Sequence, residues 1–217
     1  MTAHAYNLDT DKARDGDSTG SNRINTSGAY TGIITVAKAV TANTGASGIE
    51  FSFKSDDGQE AHYMTLYTRN AQGESIFGEK RLNTIMTCLK VRSINPVQAQ
   101  IKEYDFDAQQ EIEVTRDVYP DLMNKPIGLV LQMEEYFNNS GNKKSRMNIY
   151  GAFDAQTRQT AIEILDQLPA ERLDKMVENV RDKLVQKTTQ SAPMPTSGSV
   201  DDDIPFFNPY KGKEYLV

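Results

Sequence analysis

Two groups of residues in this 217-residue chain have types and spacing suited to holding nucleic acid, and a third suits a protein partner. Tyr63 and Tyr67 stand at even spacing in a β-rich run that ends at Arg69, and Lys54 closes the run before it. Flat rings at strand spacing can stack on bases, each stacked base contributing about 1–3 kcal/mol, while neighbouring cations follow the phosphates. Lys143-Lys144-Ser145-Arg146 is the densest basic cluster, with Tyr136, Phe137 and Tyr150 around it. Its alternative is a solvated hairpin tip. The third group is Asp201-Asp202-Asp203-Ile204-Pro205-Phe206, three carboxylates running into an apolar tip. The acids suit a basic pocket, and Pro205 stiffens the segment so that Ile204 and Phe206 anchor with less entropy lost. Its alternative is an acidic tail that only aids solubility.

Catalytic patterns are missing from the sequence. His4 and His62 have no metal-ligand spacing to Cys88. No Ser-His-Asp order and no glycine-rich phosphate loop occurs. Asp56, Asp57 and Glu60 could in principle hold Mg²⁺ as in a nuclease, but they crowd a hairpin turn, where acids are common. The chain is therefore expected to be no enzyme and to carry no metal or cofactor. A net charge of −6 gives no global field toward nucleic acid or membrane, so binding cations must gather on one face. A single cysteine excludes an intramolecular disulfide and suits a reducing cytoplasm. No secretory pattern opens the sequence, and no apolar run approaches the roughly 20 residues of a membrane span. A soluble cytoplasmic protein with no membrane partner is the expectation.

The elements that must position these residues follow from periodicity. Residues 29–39 read as a first strand. Ile49, Phe51 and Phe53 alternate in a second, which turns at Asp56-Asp57-Gly58. In the third strand, 61–69, Met64 and Leu66 point one way and Tyr63 and Tyr67 the other. With Met64 and Leu66 in the core, the tyrosines form an outer platform; the reverse assignment buries them. Phe51 and Phe53 are read as core, with stacking on bases as the alternative. Leu82, Ile85, Met86 and Leu89 fall at helical spacing in a helix over 79–92, ended by Asn95-Pro96, and its Lys80 and Arg81 are weaker candidates for DNA contact. Residues 97–122 give no clear pattern. Strands follow over 127–137 and 146–153. Asp154 is placed to cap a helix through Leu165, and Pro169 suits the first turn of the next. There Leu173, Met176, Val177, Val180 and Leu184 form a stripe that either packs on the strands or makes a homodimer seam.

The expected fold class is mainly β with helices: a five-stranded Greek-key OB-fold barrel, C-terminal helices and disordered tails, since a helix between the third and fourth of five strands is the OB-fold order. The expected domains are a flexible arm (1–27), a nucleic-acid-binding domain (28–153), C-terminal helices (154–187) and a disordered acidic tail (188–217). In an OB-fold the loop holding Lys143 and Lys144 is one of two that close over the ligand.

The hexapeptide at 201–206 resembles the acidic tip of bacterial single-stranded-DNA-binding proteins. The run Gly28-Ala29-Tyr30-Thr31-Gly32-Ile33-Ile34-Thr35-Val36-Ala37, the turn and strand over 45–53 and the hairpin over 139–148 are similar to bacteriophage single-stranded-DNA-binding proteins of the OB-fold type. The resemblance implies coating of single-stranded DNA during phage replication and recombination in the host cytoplasm. It also implies recruitment of replication, recombination and repair proteins through the tail, which competes for the DNA groove when DNA is absent. In the bacterial proteins the motif ends the chain and its terminal carboxylate joins the binding. Here residues 207–217 follow Phe206, so that segment is expected to meet a different partner or to fold back. The other expectation, favoured by the net charge, is a replication adaptor that binds protein and no DNA.

Overall fold

The computed structural model describes residues 22–105, 109–138 and 140–185; Asp201 to Phe206 lie outside them. Alternation builds the first three strands. β1 (Gly28–Thr41), β2 (Ser47–Ser55) and β3 (Glu60–Arg69) form an antiparallel meander. Ile49, Phe51 and Phe53 are buried along β2, and Met64 and Leu66 along β3. Each such side chain contributes about 1.5–3 kcal/mol by leaving water. Tyr63 and Tyr67 are turned outward.

Helix α1 (Phe77–Cys88) follows β3 and buries Leu82, Ile85 and Cys88. It ends earlier than the sequence suggests, because Lys90 takes a left-handed φ of 57° and Val91 N donates to Met86 O. The start of α1 lies against β3: a Cβ on Gly78 would collide with the carbonyl oxygen of Tyr67. Burial, and to a lesser degree the nearby charge of Asp154, push the Cys88 thiol up to about 12.

The stretch that gave no pattern folds as a hairpin, β4 (Val97–Asp105) with β5 (Gln110–Val118), followed by a 3-10 turn at Pro120–Leu122. Its half-buried positions mix Ala99, Ile101 and Glu103 with Ile112 and Val114, so no continuous apolar face betrays it. β6 (Pro126–Phe137) and β7 (Lys143–Phe153) complete seven strands where five were expected.

The result is a mainly β fold on one open antiparallel sheet. β1 is its hub. It pairs with β2 along most of its length, with β6 from Gly28↔Leu131 to Ile33↔Pro126, and with β5 at Lys38↔Val118. β6 pairs with β7, and β3 comes near β7 without a hydrogen-bonded ladder. Ile24, an isolated isoleucine in what reads as a polar arm, is wholly buried, and its N–H donates to Glu60 O at 2.8 Å.

Helices α2 (Ala161–Leu165) and α3 (Arg172–Asn179) end the described chain. Thr160, not Asp154, caps α2, in a reciprocal capping box with Glu163. Asp154 instead closes a turn, its Oδ1 accepting from Gln156 N and Thr157 N, and pairs with Lys90 at 3.0 Å. From the C-terminal stripe, Leu173 and Val180 are buried beside Val130 and Phe153, with Met176 and Val177 packed around them. These four pack on the strands, while Leu184 is exposed. No helix among the described residues is long and apolar enough to cross a membrane.

Candidate nucleic-acid interface

A β-bulge aims the first tyrosine. Phe51 pairs with Met64 and Phe53 with Ala61, so both His62 and Tyr63 lie opposite Ser52. The extra residue keeps Ala61 and Met64 buried while His62 and Tyr63 both point outward. Tyr63 adopts a φ of 59°, a left-handed conformation that costs a bulky residue about 1–2 kcal/mol. Its ring is 52% exposed and that of Tyr67 40%. Strain held at an outward aromatic ring has a functional rather than a packing explanation.

Carboxylates already neutralise most of the candidate cations. Lys54 pairs with Glu60 at 3.2 Å and Arg69 with Glu79 at 2.8 Å. On β7, Lys143 pairs with Glu135 at 2.7 Å and Arg146 with Glu134 at 2.7 Å. The bond from Lys54 holds Glu60 below its ordinary range, and that from Arg146 does the same for Glu134. The Arg146 guanidinium also lies 5.2 Å from the Tyr136 ring centroid. Lys144 has no ion pair among the described residues and is exposed.

Tyr150 is not on the tyrosine face of β3. It occupies a bulge in the β6–β7 ladder, half-buried beside Val130, Phe153 and Leu173. The Arg81 guanidinium lies 5.9 Å from its ring and 4.9 Å from that of Phe77, and its Nη1 donates to Ile149 O at 2.8 Å. Burial lowers the pKa of Arg81. Phe77, 64% exposed, extends this Tyr150–Arg81–Phe77 ladder to solvent. The sequence marked Arg81 and Tyr150 but not Phe77, whose signal was its position four residues before Arg81. Phe51 and Phe53 are fully buried and unavailable for stacking.

The β4–β5 hairpin arches over the outer face of β1–β3 and encloses a cavity of about 340 Å³. Its lining includes Val36, Ser52, His62 and Tyr63 from the sheet, with Lys102 and Tyr104 from the hairpin. Lys38 fixes the arch, reaching Glu103 of β4 at 2.6 Å and Glu50 of β2 at 3.0 Å, and Glu103 is shared with Arg116 at 3.0 Å. Burial opposes the Lys38 charge, but the bonds to Glu103 and Glu50 outweigh it and hold its pKa above the ordinary lysine value. Among the described residues no group of three or more His, Cys, Asp or Glu is placed to hold a metal ion.

The fold and its outer face therefore define an open antiparallel β protein with exposed aromatic rings interleaved with charge. No known protein-family model matches the chain, and no curated protein matches it.

Proposed function

We propose that the protein is a non-catalytic single-stranded-DNA-binding protein that stacks bases on the outer face of β3. The observation that carries this is the outward placement of Tyr63 and Tyr67 while Met64 and Leu66 fill the core. The order β1, β2, β3, α1, β6, β7, with β1 pairing both β2 and β6, supports an OB-like arrangement to which the β4–β5 hairpin is added. The ion pairs on the candidate cations are no obstacle. Exposed pairs contribute about 0–1 kcal/mol each, so a phosphate displaces a carboxylate at little cost. The role extends to coating strands in phage replication and recombination, with the 201–206 segment recruiting partner proteins.

Fluorescence anisotropy of the full chain with labelled poly-dT and a matched duplex, over a range of salt, tests it. Tight, salt-sensitive binding to the single strand with much weaker duplex binding is expected. No binding at low salt would sink the proposal. Deleting residues 190–217 is expected to tighten binding several-fold at low salt, because the acidic segment no longer competes with DNA. Unchanged or weaker binding after the deletion rules out that competition.

A second function, a replication adaptor that binds protein, is favoured by the neutralisation of Lys54, Arg69, Lys143 and Arg146 by glutamates. A steep fall of DNA affinity with salt argues against it.

A further inference from the structure

We infer that the β4–β5 hairpin is a clamp, and that Tyr104 on it is the second aromatic wall of a pocket that holds one base against Tyr63. This rests on the proposal that the protein binds single strands. Tyr63 on β3 and Tyr104 on β4 line the same cavity from opposite elements, and both rings are well exposed, at 52% and 45%. A cavity of about 340 Å³ lies at the small end of ligand pockets, which run from about 300 to 1,000 Å³, a size for a nucleoside rather than a long stretch of chain.

The charges in the cavity favour a base over a phosphate. Glu50 and Glu103 are matched by Lys38 and Arg116 in a linked network, which leaves this part of the pocket with no net charge. Lys102 and Glu111, also of opposite sign, complete the charged lining. An enclosure with no surplus of cations does not draw in a phosphate, whereas two rings over a neutral floor offer a base stacking on both faces. Lys54, exposed near the turn between β2 and β3, is placed to meet the backbone outside.

The hairpin is suited to clamping because little holds it. A two-stranded ribbon is marginal by itself. This one joins the sheet at Lys38↔Val118, where Tyr119 N also donates to Ala37 O at 2.8 Å, and through the Lys38–Glu103 pair. Its outer part can therefore shift to admit a strand while its base stays fixed.

The test uses the full chain and an oligo-dT carrying one 2-aminopurine, whose fluorescence falls when it stacks. Tyr104→Ala is expected to weaken binding about 5- to 150-fold and to reduce the quenching, with the melting temperature unchanged because the ring is exposed. Tyr104→Phe is expected to retain both binding and quenching, since stacking needs the ring and not the hydroxyl. If the unaltered protein binds the strand and Tyr104→Ala binds equally well, the clamp is refuted while the proposed function stands. If the unaltered protein binds no single strand, both fall together.

Discussion

The double variant Tyr63→Gly, Tyr67→Ala is expected to lose about 2–6 kcal/mol of single-strand affinity, the sum of two stacked bases, while folding normally. Glycine is chosen at position 63 for its backbone. Tyr63 has a φ of 59°, which glycine adopts without penalty, so the substitution removes the ring and the strain together. Thermal stability should change by less than about 1 kcal/mol, or rise, because relief of strain offsets the added chain entropy. Tyr67 is 40% exposed, and its truncation leaves no cavity in the core. Anisotropy titration beside a thermal melt reads both quantities. Full affinity in a well-folded double variant would remove β3 from the interface and leave the Phe77–Arg81–Tyr150 ladder as the next surface to alter.

The largest expected effect on stability comes from Glu163, a carboxylate 1% exposed at the corner between α2 and α3. It accepts from Thr160 N at 2.7 Å, Thr160 Oγ1 at 2.8 Å, Glu171 N at 2.7 Å and Arg172 N at 2.7 Å. Burial opposes its ionisation, but these four donors outweigh it and hold the carboxyl down at about 2, against an ordinary 4.5. Because the folded pKa is depressed, the stabilisation is complete above pH 4.5 and is lost as the pH falls toward 2. The interval sets an upper bound of about 3 kcal/mol, and water close to this corner reduces it to about 2 kcal/mol. Glu163→Gln keeps the shape but turns an NH2 toward donors, so denaturant unfolding at pH 7 should show a loss of about 2 kcal/mol. Repeated at lower pH, the gap between the two proteins should narrow from pH 4.5 downward. A gap that stays constant with pH would show that packing, not charge, is what glutamine disturbs.

The inner face of the meander was legible because β2 and β3 bury one side and wet the other, so Ile49, Phe51, Phe53, Met64 and Leu66 alternate with polar or tyrosine positions. α1 was legible for the same reason at a different period, although its end at Lys90 depends on a left-handed residue that is not glycine. The β4–β5 hairpin was not, because a ribbon with a salt bridge where a core would be has Glu103 at a position that pattern reading expects to be apolar. The bulge at His62 and Tyr63 was likewise hidden, since one inserted residue breaks alternation without changing composition. Sequence found the cations at 54, 69, 143 and 146 but not their partners. Glu79 lies across the turn into α1, and Glu134 and Glu135 lie across the β6–β7 ladder, separations that only the fold closes. Ile24 escaped because a single apolar residue has no period.

The single cysteine also makes the molecule its own unfolding clock. With its thiol buried and held near 12, Cys88 presents almost no thiolate in the folded protein at neutral pH. A thiol reagent can modify it only when α1 lifts away from the strands beneath it. The labelling rate therefore counts openings of the core at the point where helix and sheet meet, with no engineered probe and no competing thiol anywhere in the chain. DNA that braces the sheet should slow that clock; DNA held only by outlying segments should leave it running at the same pace.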